Sequence, residues 1–208
     1  MKTRAQGNSA MSLVIGFSGA SGAVIGGDLR EVLLWGEDSH TGQLERELYS
    51  GEIRNDAELA QRAADLGVNL SIRDTKVKVQ ERDGVLVGEV SESDGGVVSK
   101  RRLYLTAGEY AIADIRDRHF ELRTRESRIS FVVLGNEVTK RIANEAIREE
   151  WKNGTFEHAI RVTITALETA AARTASVSKK HLILQTREKT GLSAVIERDR
   201  KEAEGTGA

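Results

Sequence analysis

Met11-Ser12-Leu13-Val14-Ile15-Gly16-Phe17 and, after a short turn, Ala23-Val24-Ile25-Gly26-Gly27-Asp28-Leu29-Arg30 are the stretch whose reading decides the fold. Two apolar runs, each too short for a helix, flank Ser18-Gly19-Ala20-Ser21-Gly22, a Gly-containing turn of hairpin length. The spacing predicts strands over 12–17 and 23–28 and a third over 31–35. The turn is not a phosphate loop: it lacks the Gly-Lys-Ser/Thr ending and leads into a strand rather than a helix. The hairpin starts on a hydroxyl residue, Ser12, and ends on an acid and a base, Asp28 and Arg30. If Ser12 comes first in the chain, it carries a nucleophile and a free amine together, a known way of activating a hydroxyl.

Farther along, the texture changes. Leu44, Leu48 and Ile53, then Leu59, Ala63 and Leu66, recur at three- to five-residue steps among charges. Two short amphipathic helices are expected between 37 and 67, with Asn55-Asp56 capping the second and Gly67 stopping it. Strands are expected over 68–72, 76–80, 85–90, 97–105, 110–115 and 119–123, with Asp83-Gly84 and Asp94-Gly95-Gly96 as turns. Phe131-Val132-Val133-Leu134 reads as a buried strand, followed by helices over 137–152 and 156–174 and a last strand over 181–186. Residues 1–11 read as a leader or pro-segment without order, and 188–208 as a polar, fraying tail. The body, 12–187, is one α+β domain with antiparallel sheet and a helical insert at 37–67. Strands, then two helices, then a strand are not the alternation of a doubly wound sheet. The insert reads equally as a recognition lid and as packing over the sheet.

Composition narrows the function. A chain of 208 residues suits one domain. With no Cys there is neither a disulfide framework nor thiol chemistry, and with no Pro the turns fall to Gly, Asn, Asp and Ser. Lys and Arg number 31 against 32 Asp and Glu, interleaved, which argues against a nucleic-acid surface. No apolar run is long enough for membrane insertion, and the leader has no apolar core of a secretory signal. Asn153-Gly154-Thr155 fits a glycosylation acceptor, yet nothing else suggests secretion; a cytoplasmic setting fits. His40, His119, His158 and His181 lack ligand spacing, so neither metal nor cofactor is expected.

The order of elements resembles the N-terminal nucleophile hydrolases, the proteasome β-subunit branch in particular. There the mature chain begins on Thr and meets an Asp-x-Arg signature sixteen residues on; here Asp28-Leu29-Arg30 stands sixteen residues after Ser12. Lys76-Val77-Lys78-Val79 matches the family's catalytic Lys at the start of a later strand, Lys76 first and Lys78 as the alternate. Leu134-Gly135-Asn136 before a helix is similar to the family's Gly-Ser-Gly turn. Arg173-Thr174-Ala175-Ser176-Val177-Ser178 takes the place of its Arg-Asp-x-x-Ser element, with Thr174 where an Asp is expected. That departure, together with Glu47-Leu48-Tyr49-Ser50-Gly51-Glu52-Ile53 and Gly84-Val85-Leu86-Val87-Gly88-Glu89-Val90, resembles the methanogen proteasome homologues called connectases.

The resemblance implies a layered αββα fold and a sequence-specific protein ligase. Such enzymes cut a Lys-Asp-Pro-Gly-Ala motif after the Asp, hold the acyl part on the N-terminal residue and join it to another Pro-Gly-Ala amine. It implies as natural partner one subunit of tetrahydromethanopterin S-methyltransferase, and a monomer. Ser12 would be the nucleophile, its α-amine the base, Lys76 the nearby cation, Asp28 the carboxylate that fixes that Lys, and Arg30 a brace for Asp28. A backbone N–H near Gly88 would serve as oxyanion donor, because that apolar strand meets a Gly where the chain can approach a substrate. Ser176 and Ser178 read as helix-end hydrogen-bonders or as site hydroxyls. Three classes stay open: a transpeptidase, a hydrolase of the same superfamily, and a non-catalytic binding module.

Overall fold

The computed structural model describes residues 13–94, 97–152 and 154–205, without the side chains of 92–97. The expected leader, Ser12, the Gly95-Gly96 part of the second turn and the acceptor Asn153 lie outside the described residues. The opening hairpin forms as β1 (Val14–Gly19) and β2 (Gly22–Asp28), joined by Ala20-Ser21. Both strands are buried along their whole length, as continuous apolar runs must be when both faces are covered. They sit at the centre of a four-stranded antiparallel sheet between β10 (Ser130–Leu134) and β11 (His181–Thr186).

On one face of this sheet, Leu13 and Ile15 pack against α3 (Glu137–Glu150) and α4 (Phe156–Arg173). Those helices offer the small stripes Ala143, Ala146, Ala166 and Ala170, which let them lie close. Their N-caps are Asn136, accepting from the Thr139 N–H, and Thr155, accepting from the His158 N–H. On the other face, Val14 and Ile25 meet Leu86, Leu103 and Leu105. These belong to the second sheet, five antiparallel strands in sequence order: β5 (Val79–Arg82), β6 (Val85–Asp94), β7 (Val97–Thr106), β8 (Glu109–Arg116) and β9 (His119–Glu126).

The two sheets touch closely at glycines. A Cβ on Gly16 would stand 2.3 Å from Leu105 Cδ1, and one on Gly88 would stand 2.7 Å from both Ile25 Cδ1 and Val14 Cγ1. Gly16→Ala is therefore expected to lower stability by about 1–3 kcal/mol through overpacking, read as a lower denaturant midpoint with an unchanged slope.

The insert is larger than its helices. α1 (Asp38–Ser50) and α2 (Asp56–Asp65) fall inside 37–67 as expected, but β3 (Arg30–Trp35) and β4 (Asn69–Asp74) belong with them. Among the described residues the two strands pair only with each other, in a separate sheet. Val32, Leu34, Leu44, Leu48, Leu59 and Ala63 give this unit its own core. So β3 does not continue the hairpin's sheet. α1 ends on Gly51 at φ +81, a left-handed position that suits Gly.

Two further expectations are corrected. The strand expected from Lys76 begins only at Val79, so Lys76 and Lys78 lie in the crossing from the insert to the second sheet. The expected frayed tail contains a helix, α5 (Ser193–Glu204). Leu192, Val195 and Ile196 pack it on the outer face of the five-stranded sheet, against Val85, Val87 and Tyr104. The layers thus run helix pair, four-stranded sheet, five-stranded sheet, single helix. Among the described residues no helix is long and apolar enough to cross a membrane, and no group of His, Asp and Glu is placed to hold a metal ion.

Candidate active site

Asp28 closes β2 at the point where β1 begins, and its side chain is fully buried. Both carboxylate oxygens are used. Oδ2 accepts from Lys78 Nζ at 2.7 Å and from the Leu13 N–H at 2.8 Å. Oδ1 accepts from the Arg30 N–H at 2.7 Å and the Ser178 N–H at 3.3 Å. The Leu13 carbonyl in turn accepts from the Asp28 N–H at 3.2 Å. The carboxylate therefore grips the peptide group that Leu13 shares with the residue before it.

Lys78, not Lys76, is the cation at this carboxylate. Its side chain is 1% exposed, and its backbone is fixed by the Glu89 N–H donating to its carbonyl at 2.8 Å. Burial pulls the ammonium below its ordinary value, the attraction of Asp28 opposes that fall, and the charge of Lys76 adds to it. Lys76 turns outward to Glu31, 3.4 Å away, at a partly exposed position. The difference lies in where pairing resumes: Lys78 directly precedes Val79, which pairs with Gly88, and its own carbonyl is already held by Glu89.

Arg30 touches Asp28 only through its backbone. Its guanidinium turns to Asp74, at 2.9 and 3.1 Å, to Asp56 and to the carbonyl of Ala175 at 2.8 Å. It clamps the start of α2 and the end of β4 to the loop after α4, so the expected brace is a tie between the insert and the core. Ser178 supports the site from behind: besides its N–H on Asp28, its Oγ accepts from the Leu29 N–H at 3.0 Å and donates to the Lys180 carbonyl. Thr174 and Ser176 pair with each other, Oγ1 to Oγ at 3.0 Å, both buried. The structure brings neither of them to Asp28 by a hydrogen bond.

Gly88 is not open to a substrate. It lies mid-strand between Val79 and Leu103, with Ile25 and Val14 occupying the space a side chain would take. The close approach that the sequence suggested is made by the opposing sheet. Asn136, read from the sequence only as part of a turn, stands at the same end of β1. Val14 pairs with Leu134, so Asn136 lies two residues past the last pair of β10.

Residues 11–201 match the family described as "Connectase MJ0548-like, N-terminal domain". Among solved structures, the chain is similar to Anbu, the "ancestral beta-subunit", from Yersinia bercovieri, with 11% identity, 93% of this chain and 95% of that chain covered, and a TM-score of 0.39. It is also similar to the helical assembly of the Anbu complex from Pseudomonas aeruginosa, with 12% identity, 93% of each chain covered and a TM-score of 0.38. No curated protein matches it.

Proposed function

Because this chain belongs to the connectase family, we propose that it is a protein ligase acting through Ser12 as an N-terminal nucleophile. The observation that carries this reading is the Asp28–Lys78 pair, buried and hydrogen-bonded to the amide of Leu13, the residue after Ser12. A buried cation beside the first peptide group is what a hydroxyl nucleophile and its own amine need. The α-amine has an ordinary pKa of about 7.7–8.0, so it can take a proton near neutral pH. The Lys78 charge disfavours protonation of that amine and favours negative charge developing on Oγ. Asp28 holds Lys78 in place and offsets its burial.

In the proposed reaction, the Ser12 amine takes the Oγ proton as Oγ bonds to the Asp carbonyl carbon of a Lys-Asp-Pro-Gly-Ala segment. The tetrahedral species collapses, the Asp–Pro bond breaks, and the proton passes to the departing Pro nitrogen. The acyl group then rests on Ser12, as the Oγ ester or, after transfer to the adjacent amine, as the amide. A second Pro-Gly-Ala amine reverses the steps and leaves with the acyl group. One peptide bond replaces another, so no energy source is needed. The layering of helix pair, two sheets and helix supports an N-terminal nucleophile hydrolase architecture for this site. The proposal includes a cytoplasmic monomer whose protein substrate, by the family resemblance, is one of the polypeptides of tetrahydromethanopterin S-methyltransferase.

The chemistry needs a free Ser12 amine, so residues 1–11 must be absent from the active form. The chain started at Ser12, mixed with a peptide bearing Lys-Asp-Pro-Gly-Ala, is expected to gain the mass of the peptide less its Pro-Gly-Ala part. Ser12→Ala is expected to abolish that gain, and the full chain to show none. Cleaved peptide without a lasting adduct would make the protein a hydrolase instead. Intact peptide and unchanged protein mass would leave a binding module.

A further inference from the structure

Asn136 Nδ2 is the buried side-chain polar atom that finds no hydrogen-bond partner among the described residues. The residue is 6% exposed. An unpaired interior donor is costly to keep, and one retained in a folded protein calls for a reason, a catalytic role among them. The amide cannot turn over to hide the cost. Its Oδ1 accepts from the Thr139 N–H at 2.8 Å as the N-cap of α3, and Thr139 Oγ1 donates back to the Asn136 carbonyl at 3.1 Å. Reversing the amide would lose the cap and set two donors against each other. Nδ2–H is thus held in one direction by a rigid helix end, whose dipole favours negative charge nearby.

Its place in the fold is specific. Leu13 enters β1 with Asp28 and Lys78 on the β2 flank. The register of Val14 against Leu134 brings Asn136, two residues farther on, to the same end of β1 on the β10 flank. The acid–base pair and the idle donor therefore lie on opposite sides of the same chain end. Gly88 itself is buried mid-strand, between Val79 and Leu103.

We propose that Asn136 is a catalytic residue of this site, its Nδ2–H donating to the scissile carbonyl oxygen as that oxygen gains charge. This rests on the reading of Ser12 as nucleophile. As Oγ bonds to the carbonyl carbon, the π pair moves onto oxygen. Asn136 holds that oxygen until the pair returns and the C–N bond breaks. It exchanges no proton and needs no reorganisation, because its cap bond has already oriented it.

The test uses the chain started at Ser12 and the Lys-Asp-Pro-Gly-Ala peptide. Asn136→Ser keeps a good N-cap and removes the donor; Asn136→Asp keeps cap and volume and replaces the donor by an acceptor. Both are expected to slow acyl-adduct formation by about 10²–10³-fold in kcat, with little change in KM and a melting temperature close to the parent's. Adduct formation within about threefold of the parent rate in a folded Asn136→Ser chain would overturn the inference while leaving the ligase reading intact. Unfolding of both variants would overturn it as well, making Asn136 a structural cap. If the parent chain itself leaves the peptide untouched, the functional reading fails and this inference falls with it.

Discussion

Lys78→Met in the chain started at Ser12 is expected to slow adduct formation by about 10²–10⁴-fold, the usual worth of a placed acid–base group, while Lys76→Met stays within about threefold. The two residues have the same chemistry and lie two positions apart, so the pair of variants isolates geometry. Lys78 Nζ is 2.7 Å from Asp28 Oδ2 and buried; Lys76 faces Glu31 at a partly exposed edge. Lys78→Met also strands a buried carboxylate, and breaking such a pair typically costs about 3–5 kcal/mol. Three backbone N–H groups, from Leu13, Arg30 and Ser178, still reach Asp28, which places the expected loss at the low end of that range.

Lost stability and lost chemistry can be separated. The double variant Asp28→Asn/Lys78→Met carries no buried charge at this point; its amide NH2 must replace one oxygen that accepts a backbone N–H, so it is expected to regain part of the stability without regaining ligation. A measured rate for it near the parent's would remove both residues from the mechanism. Activity lost in Lys76→Met and kept in Lys78→Met would return the role to the exposed lysine, and would mean that the buried pair serves the fold alone.

Asp28 was legible in the sequence because its distance from Ser12 is set by one hairpin, a local feature that residue counting captures. The choice between Lys76 and Lys78 was not legible. Both lie in a segment without strand pairing of its own, and the pairing of Val79 with Gly88, made only in the folded chain, decides which of them enters the closed gap. Gly88 carried a true signal, close approach of backbone to another group, but the partner is Val14 and Ile25 rather than a substrate. Arg30 likewise was found at the right place with the wrong partner. Its strand leaves the hairpin for the insert, so its guanidinium meets Asp56 and Asp74, carboxylates that lie 26 and 44 positions along the chain. Asn136 gave no sign of more than a turn, since an unpaired donor exists only relative to everything that surrounds it.

The C-terminal helix was the largest miss, and it yields the other large effect. Its apolar content is little more than Leu192, Val195 and Ile196, among charges that read as a solvated tail. What the charges conceal is Asp199, fully buried, with Oδ1 accepting from Arg82 Nη1 at 2.5 Å and Oδ2 from Arg102 Nη1 at 2.8 Å and from the Tyr104 hydroxyl at 2.8 Å. Burial and the Asp199 charge hold that hydroxyl above the usual tyrosine range, so it stays a donor. Asp199→Ala would leave two guanidinium groups and a phenol facing a void. The expected loss is about 3–5 kcal/mol, or a melting temperature lower by about 10 °C for a domain of this size. Arg82 is a quarter exposed and Arg102 also holds Glu89 at 2.6 Å, so water and that second carboxylate absorb part of the cost. Asp199→Asn keeps the shape and loses the charge; it should fall between parent and Ala. Hydrogen exchange should rise over 193–204 in both variants, while adduct formation per folded molecule stays at the parent rate, because α5 lies on the face of the five-stranded sheet away from Asp28. Melting of Asp199→Ala together with the parent would show instead that three apolar side chains suffice to hold the helix.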